Sequence, residues 1–207
     1  HLQRRRQRQM CIRDRAILPT PVVGGLGVLD DLTKAVGLAL PGDGLALVLV
    51  GQGDGHLGCS AFMRDVMGRT GWLAGPPPPV DLAAEKRNGD LVRGLVEQGA
   101  VAACHDISDG GLLVAVAEMA MAGNVGADLT IDATSAGALF GEDQGCYLLA
   151  SADPATVLGA AADAGVPAVV VGATGGHALT LNGNNPISVQ DLRSAHEGWL
   201  PAFADAL

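Results

Sequence analysis

The sequence predicts a layered α/β domain built on a mixed sheet. Apolar stretches of strand length alternate along the chain with longer stretches of helical pattern, an order that favours helices packed against a sheet. The 207 residues are 48% hydrophobic with a mean hydropathy of +0.29, which is enough apolar material for a buried core. Aromatic residues make up only 3%, so we expect a core of Ala, Val, Leu and Ile.

Six short apolar runs have the length of β-strands and are bounded by glycine, proline or polar residues. These runs are residues 45–50, 101–104, 128–131, 146–150, 168–171 and 177–181. Because Gly175 and Gly176 separate the last two runs, we expect these strands to pair as a hairpin. Residues 182–186 are expected to form a loop after the hairpin.

Five segments have a helical pattern of apolar residues, namely residues 57–69, 81–99, 110–123, 154–164 and 188–207. The second begins with Asp81, a residue type that caps helix N-termini. Four prolines at 76–79 predict an extended connector before it. The third helix is apolar nearly all round, with Glu118 as its only charge, so we expect it to be buried.

Residues 1–15 differ from the rest of the chain in charge. They contain six of the thirteen basic residues and one acidic residue, whereas the other 192 residues carry 7 basic and 21 acidic side chains. One interpretation is a targeting segment or a basic arm; we favour non-native or disordered sequence and leave these residues out of the fold. We expect residues 16–44 to form an extended segment from a preceding domain and residues 45–207 to form the α/β domain.

Charge and cysteine usage argue against several classes of function. A net charge of −14 on residues 16–207 repels nucleic-acid phosphates, so we expect no nucleic-acid partner. The four cysteines form no C-x-x-C pair, which argues against structural zinc and is typical of a reducing compartment such as the cytoplasm. No apolar run reaches the roughly 18 residues of a membrane span, so no membrane association is expected.

The motif HDISDGG, at residues 105–111, lies between a predicted strand and the buried helix. Gly110 and Gly111 leave the first helical turn without side chains, so an anionic ligand can reach its backbone amides. Asp106 and Asp109 would repel a phosphate on their own, but a Mg²⁺ ion bound to both would also accept phosphate oxygens. The motif therefore predicts a metal–phosphate or substrate-binding corner.

A structural interpretation of the same motif stays open. Ser108 or Asp109 can cap the helix N-terminus, a contribution of about 1 kcal/mol. The motif would then be a tight turn between strand and helix. His105 stands beside the carboxylates and suits turn stabilisation as well as catalysis, so no residue is assigned as catalytic.

Two glycine-flanked patches are further candidates. The first precedes the strand at 146–150 and contains three polar residues, Glu142, Asp143 and Gln144. It can reach a ligand at a strand end or form a solvated hairpin turn. The second follows the first strand and carries the alternating glycines of a phosphate-cradling loop, Gly51, Gly53 and Gly55. The established nucleotide fingerprints are absent from the sequence, so a flexible turn is the alternative.

Taken in order, these motifs resemble the phosphoribosylformylglycinamidine synthase family, which catalyses the fourth step of purine biosynthesis. They are GQGDGHLGCS at residues 51–60, DLAAEKRNGDLVRGL at 81–95, HDISDGGL at 105–112 and GEDQ at 141–144. The last two are typical of a superfamily that includes aminoimidazole ribonucleotide synthetase, selenophosphate synthetase and thiamine-monophosphate kinase. The run at 81–95 favours the synthase, and the resemblance extends over residues 16–205.

The resemblance implies an ATP-dependent ligase that converts formylglycinamide ribonucleotide to its amidine, with Mg²⁺ and ATP as cofactors. The ammonia would come from glutamine through a separate glutaminase subunit, accompanied by a small bridging subunit, where the enzyme is split. The chain would be the C-terminal domain of the second half of an internally duplicated large subunit. Its fold would be a three-layer α/β/α unit like the C-terminal domain of aminoimidazole ribonucleotide synthetase.

The family's catalytic histidine, most of its Mg²⁺ ligands and a Glu-Ser-Gln substrate motif lie in the first half, outside the resemblance. We therefore expect a fragment that is inactive alone and needs the remaining domains. Through the duplication, six residues correspond to substrate-site positions of the first half, namely His105, Asp106, Asp109, Glu142, Asp143 and Gln144. Together with Ser108, Gly110 and Gly111 of the same motif, they are the predicted substrate- or nucleotide-binding residues. The alternatives are a non-catalytic nucleotide-binding or scaffold half-domain, and another member of the same ATP-dependent superfamily.

Overall fold

The computed structural model describes Gly24, residues 26–132 and residues 134–205. The chain divides into two compact units, residues 1–32 and residues 33–207. In the first unit, the described residues before Leu32 form neither strand nor helix. Residues 1–15 lie outside the described part of the chain, so their assignment as non-native or disordered sequence stays a prediction, as does a domain boundary after residue 44.

The second unit is built on one sheet, which has seven strands among the described residues. They are β1 (Ala46–Val50), β2 (Ala103–Asp106), β3 (Ala127–Leu129), β4 (Tyr147–Ser151), β5 (Ala168–Thr174), β6 (Ala178–Leu181) and β7 (Asn184–Ser188). The strands lie in the order β2-β4-β1-β5-β3-β6-β7. Strands β3 and β6 are parallel and the other neighbours are antiparallel, so the sheet is mixed, as predicted.

Five α-helices accompany the sheet within the part of the chain that the structure describes. They are α1 (Leu82–Glu97), α2 (Gly111–Gly123), α3 (Ala136–Phe140), α4 (Pro154–Asp163) and α5 (Val189–Asp205). Shorter helical turns are the 3₁₀ turns Leu32–Lys34 and Gly71–Ala74 and the π turn Phe62–Val66. No described helix combines the length and apolarity needed to cross a membrane.

Strand β1 shows how the layers form, because its side chains alternate between the two faces of the sheet. Leu47 packs in one apolar cluster with residues of α2, while Val48 and Val50 pack in a second cluster with residues of α1 and α4. All three side chains are fully buried. Helices therefore cover both faces of the sheet, and the expected three-layer α/β/α fold is confirmed.

Helix α1 begins where the sequence predicts. The Asp81 carboxylate accepts hydrogen bonds from the backbone N–H groups of Ala83 and Ala84, at 2.9 and 3.1 Å, and is the N-cap. Val92 and Leu95 form the buried side of the helix, against the sheet. The cap thus fixes the point at which the extended residues after the prolines turn into the helix.

The predicted hairpin between residues 168–171 and 177–181 is wrong. Strand β3 lies between β5 and β6, antiparallel to the first and parallel to the second. Gly126, just before β3, donates to the carbonyl of Gly176 and accepts from the N–H of Gly175, both at 2.8 Å. The double glycine therefore binds the chain entering β3, and β5 and β6 do not pair with each other.

The loop predicted at residues 182–186 is also wrong, because residues 184–188 form β7 against β6. Asn182 and Gly183 make the turn between them, with φ of +52° and +72°. Two positive φ values are typical of a type I′ hairpin turn, for which Asn-Gly is the favoured pair. This dipeptide is the sequence signal for the hairpin.

Several elements differ from prediction in extent. Strand β5 continues to Thr174 where residue 171 was the predicted end, and β3 spans Ala127–Leu129 where 128–131 was predicted. Strand β2 begins and ends two residues later than the predicted residues 101–104. The helix expected at residues 57–69 is reduced to the π turn Phe62–Val66. Helix α3 was not predicted, because five residues are too few to show a helical period.

The Asp81 cap leads to a stability prediction. Replacing Asp81 with Ala removes the acceptor for two backbone N–H groups and should lower the free energy of unfolding by about 1 kcal/mol. Asp81→Asn keeps an acceptor oxygen and should lose less. Urea unfolding of the three chains measures the difference, and an Asp81→Ala chain as stable as the parent would contradict the assigned cap.

Candidate functional site

Three stretches that are far apart in sequence meet at one corner of the second unit. Glu142 connects all of them. Its carboxylate Oε1 accepts hydrogen bonds from the backbone N–H groups of Ala61, at 2.7 Å, and Gly110, at 2.8 Å. Its own N–H donates to the carbonyl of His56 at 2.9 Å. The patches at residues 51–61, 107–111 and 141–146 therefore form a single site.

Asp143 binds the glycine-rich loop after β1. Its two carboxylate oxygens accept hydrogen bonds from the N–H groups of Asp54, Gly55 and His56, at 3.0–3.3 Å. Successive amides of this kind form an anion-binding nest. The loop in which the sequence predicts a phosphate cradle thus holds an anion, and in this structure the anion is a carboxylate of the same chain.

Close approach explains two of the glycines in this loop. A Cβ on Gly53 would overlap the Asp143 carboxylate, and a Cβ on Gly55 would lie 2.9 Å from the carbonyl carbon of Gly137 in α3. Gly55 also has φ of +74°, a conformation that other residues rarely adopt. The glycines are therefore needed where the loop packs against residues 137 and 143.

The N-terminus of α2 is capped differently from the prediction, which named Ser108 or Asp109. Gly110 is the N-cap residue and has φ of +84°. No side chain at the usual capping position accepts a hydrogen bond from the first turn. Glu142, from another loop, instead accepts the N–H of Gly110. Gly111 follows with φ of +71°, and a Cβ there would lie 2.5 Å from the carbonyl carbon of Phe140. The predicted side-chain cap is therefore wrong, because Gly110 and Gly111 both have left-handed φ values and change the direction of the backbone at the start of α2.

A cleft of about 330 Å³ lies beside these loops. Its apolar lining comes from the sheet, the HDISDGG turn and α2, and includes Leu49, Ile107, Leu112, Val169 and Val171. The lining also includes Gly53, Gly55, Gly141, Asp132 and Asp143. Among the described residues that line the cleft there are two carboxylates and no basic side chain. A phosphorylated ligand here would need a cation to offset these carboxylates.

Histidine 105 and Asp106 lie on strand β2 and not in the turn after it, because the strand is shifted. Neither lines the cleft. The ring of His105 is mostly buried, with Nε2 2.9 Å from Glu118 Oε2 and Nδ1 3.1 Å from Asp106 Oδ1. The Asp106 side chain is 64% exposed. The two residues thus form a separate cluster with α2 next to the cleft corner.

The other predicted site residues, Ser108, Asp109 and Gln144, are exposed. Arg64 of the π turn is a neighbour that the sequence did not single out. The hydrogen bond and charge of Asp65 raise the pKa of Arg64, with smaller contributions from Asp109 and Glu142. This basic side chain therefore lies near two of the predicted site carboxylates, although no motif marks it.

The buried thiol in the cleft is chemically inert at neutral pH. Burial raises the pKa of Cys146 to about 11, and the carboxylates of Asp143 and Glu85 add to the shift. Because the thiolate is the nucleophilic form, a thiol with this pKa is almost entirely protonated and unreactive. The site therefore does not support cysteine-based nucleophilic catalysis.

The side chains present fit Mg²⁺ only together with a ligand. No three His, Cys, Asp or Glu side chains converge as a metal site anywhere in residues 26–132 and 134–205. Proteins commonly hold Mg²⁺ through one or two carboxylates, with phosphate oxygens and waters as the other ligands. The exposed carboxylates of Asp106 and Asp109 suit that mode and do not suit a metal held by protein alone.

The different use of the two adjacent carboxylates leads to a second prediction. Glu142 uses a single oxygen for both N–H groups, so Glu142→Gln should keep most of the stability, while Glu142→Ala should cost about 2 kcal/mol. Asp143 uses both oxygens, and an amide offers only one acceptor, so Asp143→Asn should be nearly as destabilising as Asp143→Ala.

Urea unfolding of the four variants tests this contrast. Glu97→Gln, at the exposed end of α1, is the matched control for loss of a carboxylate and should leave stability unchanged. Equal tolerance of the amide at positions 142 and 143 would contradict the hydrogen-bond pattern described above.

Comparisons with known proteins agree with the fold and the motifs. Residues 42–181 match the family of AIR synthase related protein, C-terminal domain. The PurL subunit of phosphoribosylformylglycinamidine synthase from Rhodopseudomonas palustris strain HaA2 is 53% identical over 194 residues, and that from Rhodospirillum rubrum is 54% identical over 195. Each match covers 91% of this chain and 26% of the relative, so the chain spans about a quarter of the length of these relatives.

PurL of Thermotoga maritima has the same fold at 20% identity. Its structure with FGAR gives a TM-score of 0.64 and covers 78% of this chain and 30% of that chain. The T. maritima structures of PurLQS and of PurL with ATP give TM-scores of 0.63 and 0.60. The matched range contains the HDISDGG and GEDQ motifs that meet at Glu142. The chain therefore belongs to the AIR synthase related protein family, of which it carries the C-terminal domain.

Proposed function

We propose that this chain works as the C-terminal domain of a phosphoribosylformylglycinamidine synthase. That enzyme would use ATP and glutamine-derived ammonia to convert formylglycinamide ribonucleotide to its amidine. The observation that carries the proposal is the junction at Glu142, which joins the HDISDGG turn to the GEDQ loop beside a cleft. The 53% identity to a PurL subunit supports the same enzyme.

We divide the predicted site residues into two groups by role. The carboxylates of Glu142 and Asp143 accept hydrogen bonds from backbone amides. Together with Gly110 and Gly111, these residues form the corner. The exposed side chains remain available to a ligand; they are Asp106, Ser108, Asp109 and Gln144. We assign substrate or nucleotide contact to this exposed group and a supporting role to the first.

Mg²⁺ and ATP are the proposed cofactors. Asp106 and Asp109 would hold Mg²⁺, which when bound offsets phosphate charge next to the carboxylates of the site. The apolar cleft lining suits a flat ring system, and the Asp132 carboxylate favours a group that donates hydrogen bonds. ATP bound to PurL of T. maritima supports a nucleotide as ligand.

The proposed partners are the remaining domains of the synthase, a glutaminase subunit and a small bridging subunit, in the cytoplasm. The T. maritima PurLQS assembly supports such a complex. The domain's own net charge of −14 outside residues 1–15 disfavours nucleic acid as a partner.

A second candidate function is a non-catalytic nucleotide-binding or scaffold domain. It is favoured by one observation, the engagement of Glu142 and Asp143 with the chain's own amides. Under this function, substitutions in the HDISDGG motif would lower stability and leave turnover intact.

One experiment separates the two functions. The chain replaces the matching quarter of Rhodospirillum rubrum PurL, and the chimera is assayed for synthase turnover and for growth of a PurL-deficient strain without purines. We expect activity, and a fall on the order of 100-fold with Asp106→Asn at an unchanged melting temperature. Asp163→Asn, exposed at the end of α4, is the matched control. A folded chimera in which Asp106→Asn turns over normally would support the scaffold function.

A further inference from the structure

Glu118 is an unexpected residue in α2. The helix runs GLLVAVAEMAMAG, and Glu118 is its only charged side chain. Six residues of this helix are buried, so it is packed into the core. Glu118 is not one of them, and its side chain is 42% exposed. Its partner is the ring of His105, whose Nε2 lies 2.9 Å from Glu118 Oε2.

The other side of the His105 ring contacts Asp106. Its Nδ1 lies 3.1 Å from Asp106 Oδ1, and its side chain is only 14% exposed. Both ring nitrogens thus face a carboxylate oxygen, so the ring cannot turn without breaking a contact on one side or the other. The three residues form a chain of contacts from the core helix to the end of β2.

Helix α5 offers no competing partner for Glu118 among the described residues. The groove beside the cluster is lined by Arg193, His196 and Glu197 from that helix. Arg193 donates to the carbonyl of Met121 and forms an ion pair with Glu197 at 3.2 Å. His196 is exposed in the same groove, and Glu118 pairs with His105 and not with His196.

The far end of the chain of contacts is a site residue. Oδ1 of Asp106 contacts the His105 ring, and the Asp106 carboxylate has no other hydrogen bond with the described residues. Its side chain is 64% exposed, so the second oxygen faces solvent. A carboxylate held on one oxygen presents the other in a restricted direction, which lowers the entropy cost of binding a ligand.

We propose that Glu118 is a positioning residue, which acts through His105 to orient the Asp106 carboxylate toward a Mg²⁺–phosphate ligand. The inference rests on the proposed function, since it takes Asp106 as a ligand of the metal. It assigns a role to a residue outside the HDISDGG motif. Hydrogen-bonded supports of this kind typically change metal affinity by 10–100-fold when removed.

The test uses Mn²⁺ as the probe, with electron paramagnetic resonance of the free ion as the readout. It is carried out on the chimeric synthase with ADP present, and the Mn²⁺ bound by an Asp106→Asn chimera is subtracted as the contribution of ADP and of the other domains. Glu118→Ala should weaken Mn²⁺ binding by about 10–100-fold. Glu118→Gln keeps an acceptor for His105 and should lose less, so this conservative variant rescues part of the effect. Glu97→Gln on α1 is the matched control and should bind Mn²⁺ like the parent.

Three further readouts separate positioning from a structural role. Melting temperatures show whether the loss of Mn²⁺ affinity follows stability. In turnover assays, Glu118→Ala should raise the KM for the Mg²⁺–nucleotide and leave the KM for formylglycinamide ribonucleotide unchanged. In a long-range ¹H–¹⁵N spectrum of the 207-residue chain, Glu118→Ala should shift both ring nitrogens of His105, and Glu97→Gln neither.

The outcomes distinguish failure of the positioning role of Glu118 from failure of the proposed metal site. If the parent binds Mn²⁺ and Glu118→Ala binds it equally well, the positioning role is overturned and the proposed function stands. If Glu118→Ala changes only the melting temperature, Glu118 is structural and the inference fails. If the parent chimera and its Asp106→Asn variant bind the same amount of Mn²⁺ with ADP present, Asp106 is not a metal ligand, and both the metal site and the inference are overturned.

Discussion

The architecture of the site depends on two adjacent carboxylates that bind backbone amides. Glu142 joins the N-terminus of α2 to residue 61, and Asp143 holds the loop at residues 54–56. Charged acceptors form stronger hydrogen bonds than neutral ones, and left without them the amides would lie partly buried and unpaired. The cleft exists because these contacts hold three loops at the end of the sheet, with glycines where the backbones approach too closely for a Cβ.

The fold was largely predictable because its buried elements have clear periods. The run at 45–50 became β1, and Asp81 marked the start of α1 as its cap. Predictions failed where partners are distant in sequence. A double glycine at 175–176 resembles a hairpin turn, but β3 inserts between the two strands from nearly fifty residues earlier. No local pattern encodes such an insertion, whereas the Asn182–Gly183 turn was readable from its dipeptide.

For the candidate site, the sequence singled out segments that the structure largely brings together, and it left their roles open. The loop after β1, residues 107–111 and the patch at 142–144 do meet at one corner, while His105 and Asp106 form a separate cluster. That Glu142 caps α2 was not predictable, because its contacts with Ala61 and Gly110 span 81 and 32 residues. The shift of β2 by two residues also changed the setting of His105, from a turn to a strand facing α2. Polar residues beside glycines predict where a functional site lies. Only the structure shows which of these residues hold the loops together and which are exposed.

Amide hydrogen exchange tests the central claim most directly, because the claim concerns specific N–H groups. The amides of Gly55, His56, Ala61 and Gly110 should exchange at least about tenfold more slowly than those of exposed loops. In an Asp143→Ala chain, the first two should lose protection while Gly110 keeps it. Exchange of all four amides at the rate of an unstructured peptide in the parent chain would contradict the account, because the carboxylates would then not hold the loops together.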